Sequence, residues 1–308
     1  MSAPMPLPKG VTVFERGWLS ANNILLVGPE SSALVDSGYC THAAQTVELM
    51  ERALSDRPLD ALLNTHLHSD HCGGNAALQA RYPALRTWVP ASQFAQVNEW
   101  DPVALTYVPT GQLCPRFRAD GMLRAGMEVE LGWQRWQVHA APGHDPHSVV
   151  LFEPATRTLI SADALWRHGF GVVFPELEGQ VAFDEVGATL DLIESLAPAV
   201  VIPGHGPVFV EVDAALAECR SRLAGFTKDP RKHARHAIKV LLKFKLLERQ
   251  RFTTGELLQW AASTAYLRTV HQRWFADLEL DTWVTQLVSE LESAGALQVS
   301  GDVIRNSG

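Results

Sequence analysis

A layered α/β fold followed by a smaller helical domain is what this sequence predicts, and three observations carry the prediction. Short β-type runs alternate with amphipathic helical segments through about the first 210 residues. Several of those runs stop on a histidine or an aspartate. The charge balance also changes near residue 225: from Phe226 onward 12 Lys or Arg face 9 Asp or Glu, against 14 and 25 before it. Two domains are expected, residues 1–225 and residues 226–308. With 46% apolar and 19% charged residues in 308, a sizeable core can form and disorder is not the default.

The opening reads as hairpins: Val11 to Phe14, Ile24 to Val27 and Ala33 to Val35, with turns at Gly28-Pro29 and Asp36-Ser37-Gly38. Thr41 to Leu54 has helical spacing, with Val47, Met50 and Leu54 on one face and Thr41 as its cap. Leu59 to Asn64 is a brief strand, and a helix runs from Gly73-Gly74-Asn75 through Arg81. Trp88 to Arg124 is long and irregular, broken by Pro102, Pro109, Gly111 and Pro115. A connection of this kind is often a substrate-covering flap, so Trp100, Tyr107 and Phe117 either line a pocket or pack on the parent domain.

Strands resume at Met127 to Leu131, Gln134 to Ala140, Ser148 to Phe152, Thr158 to Ser161 and Val200 to Ile202. Helices are expected over Phe183 to Leu196, where Asp184 is a helix-start residue, and over Val212 to Ala224. The tail then reads helix, helix, helix, hairpin: His233 to Arg249, a helix opened by Thr253-Thr254-Gly255-Glu256, Thr282 to Ala294, and Leu297 to Asn306 turning at Ser300-Gly301-Asp302. That is the order of a winged helix.

Composition narrows the setting. The start, M-S-A-P-M-P-L-P-K-G, holds no apolar signal core, and no apolar run approaches the ~18 residues of a membrane span. A soluble cytoplasmic protein with no membrane partner is expected. Cys40, Cys72, Cys114 and Cys219 are scattered with no C-x-x-C pair, so they read as reduced and structural, Cys72 as a small filler behind the histidine stretch.

The chemistry concentrates in Thr65 to Asn75, T-H-L-H-S-D-H-C-G-G-N. His66, His68, Asp70 and His71 are all metal-ligating types, costly to bury unless something satisfies them. Three later β-runs end at His144, Asp163 and His205, making seven donors. Two ions with three protein ligands each and a shared carboxylate would use all seven. The partition places His66, His68 and His144 on one ion, Asp70, His71 and His205 on the other, and Asp163 between them.

H-x-H-x-D-H followed by Gly-Gly, with a later P-G-H, an Asp after a strand and a final P-G-H-G, resembles the metallo-β-lactamase-fold superfamily over roughly residues 11 to 210. The resemblance implies an αββα sandwich with the metals at one edge, the same ligand partition, and Asp70 and Asp163 as the catalytic carboxylates. Two neighbouring divalent ions bring the pKa of a shared water toward neutrality, so hydroxide is available at pH 7. Zinc is the first expectation for nitrogen and oxygen donors, with iron and manganese as alternatives. Asp36 is expected behind a ligand histidine or as a turn cap.

The bridging carboxylate resembles glyoxalase II and related hydrolases more than lactamases that place a cysteine there. One departure is P-G-H-D-P-H, where glyoxalase II has P-G-H-T-x-G-H and where His147 follows three residues after His144. Three functions stand open: a dinuclear hydrolase of a small ester, thioester or lactone; an endoribonuclease or phosphodiesterase like the β-lactamase-like protein 2 branch; and a non-catalytic metal-bound regulator. The second rests on the tail, where Arg231 to Arg251 carries eight Lys or Arg and one Glu; against it, the whole chain is acidic, with pI about 5.8. That branch also implies a tail that packs or forms a homodimer. His168 is a candidate substrate contact, whereas His42, His139, His233, His236 and His271 have no partner spacing and read as structural.

Overall fold

The computed structural model describes residues 7–307; residues 1–6, which were read for a signal segment, and Gly308 lie outside the described residues. Among the described residues no helix is long and apolar enough to cross a membrane.

The first sheet is β1 (Val11–Phe14), β2 (Asn23–Val27), β3 (Ser32–Val35), β4 (Ala61–Leu63), β5 (Arg86–Pro90) and β6 (Gly121–Leu123), hydrogen-bonded in that order. Pairing is antiparallel from β1 to β3 and parallel from β3 to β6. The second sheet comprises β7 (Glu128–Leu131), β8 (Gln134–Ala140), β9 (Val149–Glu153), β10 (Thr158–Ala162) and β11 (Val200–Pro203), antiparallel except for the parallel β10–β11 pair.

Strand periodicity separates the layers, because successive side chains point to opposite faces. Ile24, Leu26, Val35 and Leu63 meet Trp136, Val138, Leu151, Ile160 and Ile202 between the sheets. Leu25, Leu34 and Leu62 turn outward onto Met50 and Leu54 of α1 (Ala43–Leu54), and onto Leu78. Behind the second sheet, Val150, Phe152, Leu159 and Val201 cluster with apolar residues from two later helices. Both faces of the central strands are covered, which is why their sequences are continuously apolar. The result is an αββα sandwich.

Between these strands lie α2 (Ser69–Cys72), α3 (Asn75–Arg81), α4 (Phe94–Glu99), α5 (Tyr107–Thr110), α6 (Phe174–Glu178) and α7 (Phe183–Leu196). Thr41 does not cap α1: it sits inside a 3-10 turn, Cys40–His42, and the helix start at His42 has no side-chain cap. In the long segment, β5 and β6 are sheet strands, and Trp100, Tyr107 and Phe117 pack against one another with Leu67, Cys72 and Val97. The aromatics are therefore core and do not form a substrate lining. Cys72 is buried in this same cluster, its Sγ 3.1 Å from the Tyr107 hydroxyl.

α8 (Val212–Lys228) crosses the composition break, and α9 (Pro230–Arg249) begins the tail, its N-terminus capped by Asp229. Then come β12 (Arg251–Thr253), α10 (Thr254–Ser263), α11 (Ala265–Trp274), α12 (Leu280–Ser293), β13 (Leu297–Ser300) and β14 (Val303–Asn306), the strands ordered β12-β14-β13. The tail thus has one more helix, α11, and one more strand, β12, than its sequence pattern separates; extended backbone at Thr264 is what divides α10 from α11. Thr253 and Glu256 form a capping box.

Much of the basic character of α9 is consumed internally. Arg231 pairs with Asp277, Arg235 and Lys239 share Glu290, and Lys243 donates to the Ala296 and Ser307 carbonyls and to Asn306 Oδ1. Lys245 is buried, pairing with Glu248 Oε1 at 2.6 Å and donating to the Gly111 carbonyl at 2.9 Å. Glu248 Oε2 accepts the Tyr39 hydroxyl at 2.6 Å, and that hydroxyl oxygen accepts the Leu113 N–H. One network of hydrogen bonds around this pair thereby joins Tyr39, the long segment at Gly111 and Leu113, and α9.

Candidate metal centre

Each donor arrives on the end of a rigid element. β4 leads through Asn64 and Thr65 to His66 and His68, and α2 carries Asp70 and His71. β8 runs into Ala141-Pro142-Gly143-His144, β10 into Asp163, and β11 into Gly204-His205. β8, β10 and β11 run in the same direction, so their C-terminal ends open on one edge.

The seven residues gather into two adjoining sets, His66 with His68 and His144, and Asp70 with His71, Asp163 and His205, the donor atoms of each set lying within 4.8 Å of one another. Asp163 faces both: its Oδ1 is 3.3 Å from His71 Nε2 and its Oδ2 is 3.4 Å from His144 Nε2. Asp70 Oδ2 accepts from His205 Nε2 at 3.1 Å.

The arrangement fits divalent cations on its own chemistry. Among the described residues, His66 Nε2 and His71 Nε2 are buried without a hydrogen-bond partner. His68 Nδ1 and His144 Nε2 point at each other across 2.9 Å. Orphaned imidazole nitrogens beside buried carboxylates are costly unless a cation satisfies them. Burial, with the neighbouring imidazoles, holds His66 well below its ordinary value, and burial with His144 pushes His68 down to about 4, leaving both neutral. Burial opposes ionisation of Asp163, but His71 and His205 overcome it and hold the carboxyl well below its ordinary range. Neutral imidazoles and an ionised carboxylate are the ligating forms.

The outer nitrogens of His71 and His144 are also engaged, which orients these two rings. Asp36 Oδ2 accepts from His71 Nδ1 at 2.7 Å, while its two oxygens also accept Thr65 N–H and Thr65 Oγ1–H. His144 Nδ1 donates to the Val172 carbonyl at 2.5 Å. Asp145 Oδ2 lies 3.6 Å from His68 Nε2. Trp166 Nε1 donates to Asp163 Oδ1 at 3.2 Å. Asp36 and Ala162, close to the donors, have left-handed backbone with φ of 58° and 47°. Gly204 is required by space: a Cβ there would meet Asp163 Oδ1 at 2.2 Å.

Aromatic rings flank the donors. The exposed indole of Trp18 stacks on His205 with centroids 5.3 Å apart, and Trp166 meets both edge-on. Phe174 approaches His68 and His144 and is backed by Tyr266 of α11. Sequence reading did not single out Asp145, Trp18, Trp166 or Phe174; the P-G-H-D-P-H departure was the available signal for Asp145. His168 pairs with Glu218 on the surface. His147 bonds Ser92 Oγ. Asp184 stands in the first turn of α7.

The fold is shared with known proteins. A hydroxyacylglutathione hydrolase from Brucella anthropi is 28% identical over 192 residues, 62% of this chain and 60% of that protein, so the match spans about three fifths of that relative's length. A metallo-beta-lactamase family protein from Thermus thermophilus superposes with a TM-score of 0.57 at 20% identity, covering 98% of this chain and 100% of that one. The protein TTHA1623, solved in a di-iron-bound form, gives 0.54 at 25% identity over 68% of this chain and 98% of its own. The model of the metallo-beta-lactamase superfamily matches residues 16–205, the span that carries all seven donors, and this chain belongs to that superfamily.

Proposed function

We propose that this chain is a dinuclear metal-dependent hydrolase of a small thioester, with His66, His68 and His144 holding one ion, Asp70, His71 and His205 the other, and Asp163 between them. The observation that carries this is the pair of adjoining donor sets sharing one carboxylate. When bound, two divalent ions make hydroxide available near neutral pH and polarise the bond under attack. The chain's own part is orientation: Asp36 accepts the His71 Nδ1 proton and the Val172 carbonyl the His144 Nδ1 proton, which turns Nε2 of each ring inward toward Asp163. Trp18, Trp166 and Phe174 form walls on which an acyl or leaving group can rest.

A thioester is favoured over an ester or lactone because the curated relative is named a hydroxyacylglutathione hydrolase and because Asp163 stands at the shared position. Zinc suits the nitrogen and oxygen donors, and the di-iron form of a structural relative makes iron its rival. Residues 226–308 act as a supporting second domain, since five of the eight cations from Arg231 to Arg251 already bond acids or carbonyls of the tail and long segment.

The test is one panel of acyl thioesters, lactones, aryl esters, bis-aryl phosphodiesters and single-stranded RNA, assayed on protein of measured metal content. Turnover concentrated on thioesters is expected. Preference for RNA or phosphodiesters overturns the substrate class, and failure on every substrate with two ions bound favours the regulator.

A further inference from the structure

We propose that His233, on α9 of the tail, is a positioning residue for the first donor set: it fixes the loop whose Val172 carbonyl orients the ligand His144. The inference rests on the metal reading above and adds to it a control point outside the histidine-rich motifs, in the part of the chain that the family model does not match.

Residues 170–174 pass directly over His144. A Cβ on Gly171 would fall 2.3 Å from His144 Nδ1, so the bare backbone packs on the imidazole. From there Val172 turns its carbonyl to accept the His144 Nδ1 proton at 2.5 Å. That bond sets the tautomer: with the proton on Nδ1, the lone pair is on Nε2, the nitrogen that faces Asp163 and His68.

A carbonyl can hold a ligand only if its own peptide is held, and three amides around it are pinned. Gly171 N–H donates to the Asp163 carbonyl at 2.9 Å, and Phe174 N–H to the His144 carbonyl at 3.3 Å. Both of those partners belong to the ligand residues themselves. Val173 N–H, in the peptide that contains the Val172 carbonyl, instead donates to His233 Nε2 at 3.1 Å. The Val172 carbonyl and the Val173 amide are two ends of one rigid planar unit. Holding the N–H therefore aims the C=O. His233 is itself buried, wedged between the rings of Phe183 and Phe226. Burial pushes its pKa down to about 3, which keeps the ring neutral and able to accept.

A packing role alone would ask only for a ring of this size, whereas a positioning role needs an acceptor at Nε2. His233→Phe fills the space and cannot accept; His233→Gln places an amide oxygen near the Nε2 position and can. His233→Asn is polar but too short to reach Val173, and replaces the Phe variant if that chain does not fold. Val270→Ala, in the tail core, controls for general loosening.

The experiment is titration of the metal-free protein with Zn2+ against a chromogenic chelator, paired with amide hydrogen exchange at Val173. Wild type is expected to bind two ions. In His233→Phe or His233→Asn the first ion should bind about tenfold more weakly, the low end of the range for partners around metal ligands. Val173 should then exchange faster, His233→Gln should recover most of the affinity, and Val270→Ala should bind as wild type. Unchanged affinity in the Phe or Asn variant, or equal losses in the Gln variant, overturns the proposal. A wild type that binds no metal overturns the metal reading itself, a distinct result.

Discussion

Replacing Asp36 with Asn removes one buried charge and leaves the shape of the site intact. Asn also tolerates the left-handed backbone, φ 58°, that Asp36 adopts. In the native protein Oδ1 accepts Thr65 N–H at 2.9 Å, and Oδ2 accepts Thr65 Oγ1–H at 2.8 Å and His71 Nδ1–H at 2.7 Å. An amide keeps the first bond and puts an NH2 where Oδ2 stood. Two donors then face each other at His71, so the ring proton must move to Nε2, the nitrogen aimed at Asp163. A hydrogen bond to a charged group is worth roughly 1.5–3 kcal/mol. At about 1.4 kcal/mol per tenfold, the ion held by Asp70, His71 and His205 should bind about 10- to 100-fold more weakly. The ion held by His66, His68 and His144 should bind nearly as before. Two-site calorimetric titration of the metal-free variant measures both constants, and an Asp36→Asn protein that binds both ions as tightly as wild type would refute the tautomer argument.

Asp163→Ala removes the carboxylate common to both sets, so most of the metal and most of the turnover should go together; a fully active variant without metal would sink the dinuclear reading. His233, pushed down to about 3 mainly by burial, and His236, pushed to about 4 by burial and Arg222, are neutral in the fold, whereas unfolded histidine titrates near ~6.5. Between about pH 6.5 and those lower values the unfolded chain binds more protons, so stability falls as pH falls, by up to about 1.4 kcal/mol per pH unit for each ring. Melting from pH 7 to 5 should show a shallower slope in the His233→Gln/His236→Gln double variant, and equal slopes would reject this assignment. Leu34→Ala, at a fully buried position between the first sheet and α1, should cost about 2–5 kcal/mol in denaturant unfolding, with activity retained while the protein is folded.

Much of the sandwich was legible because strands covered on both faces leave continuous apolar runs, and β8, β10 and β11 each stop where a donor begins. Asp36 was legible as a turn residue placed before the histidine stretch. The Val172 carbonyl was not, since a backbone acceptor carries no residue signature and any side chain could stand above it. His233 was read as structural because its partner lies 60 residues away and is itself backbone. The basic face of α9 left the phosphodiesterase alternative open for a related reason: its acids, Asp277 and Glu290, come from later segments, and only the fold brings them to Arg231, Arg235 and Lys239. The long segment suggested a flap by length and proline content, yet Trp100, Tyr107 and Phe117 found one another and became core.

The ion pair of Lys245 with Glu248, completed by Tyr39 and the Gly111 carbonyl, acts as a key in a lock for the tail. Lys245 and Glu248 sit on the same helix and stay paired in any seating. Sliding α9 by one turn would nevertheless cost the ammonium its Gly111 carbonyl and the carboxylate its Tyr39 hydroxyl, hydrogen bonds to charged groups worth roughly 1.5–3 kcal/mol each. Greasy surfaces alone accept many near-equivalent dockings; these two bonds favour one register. Because the pair is shielded from solvent, that selectivity should also survive salt concentrations that dissolve surface ion pairs.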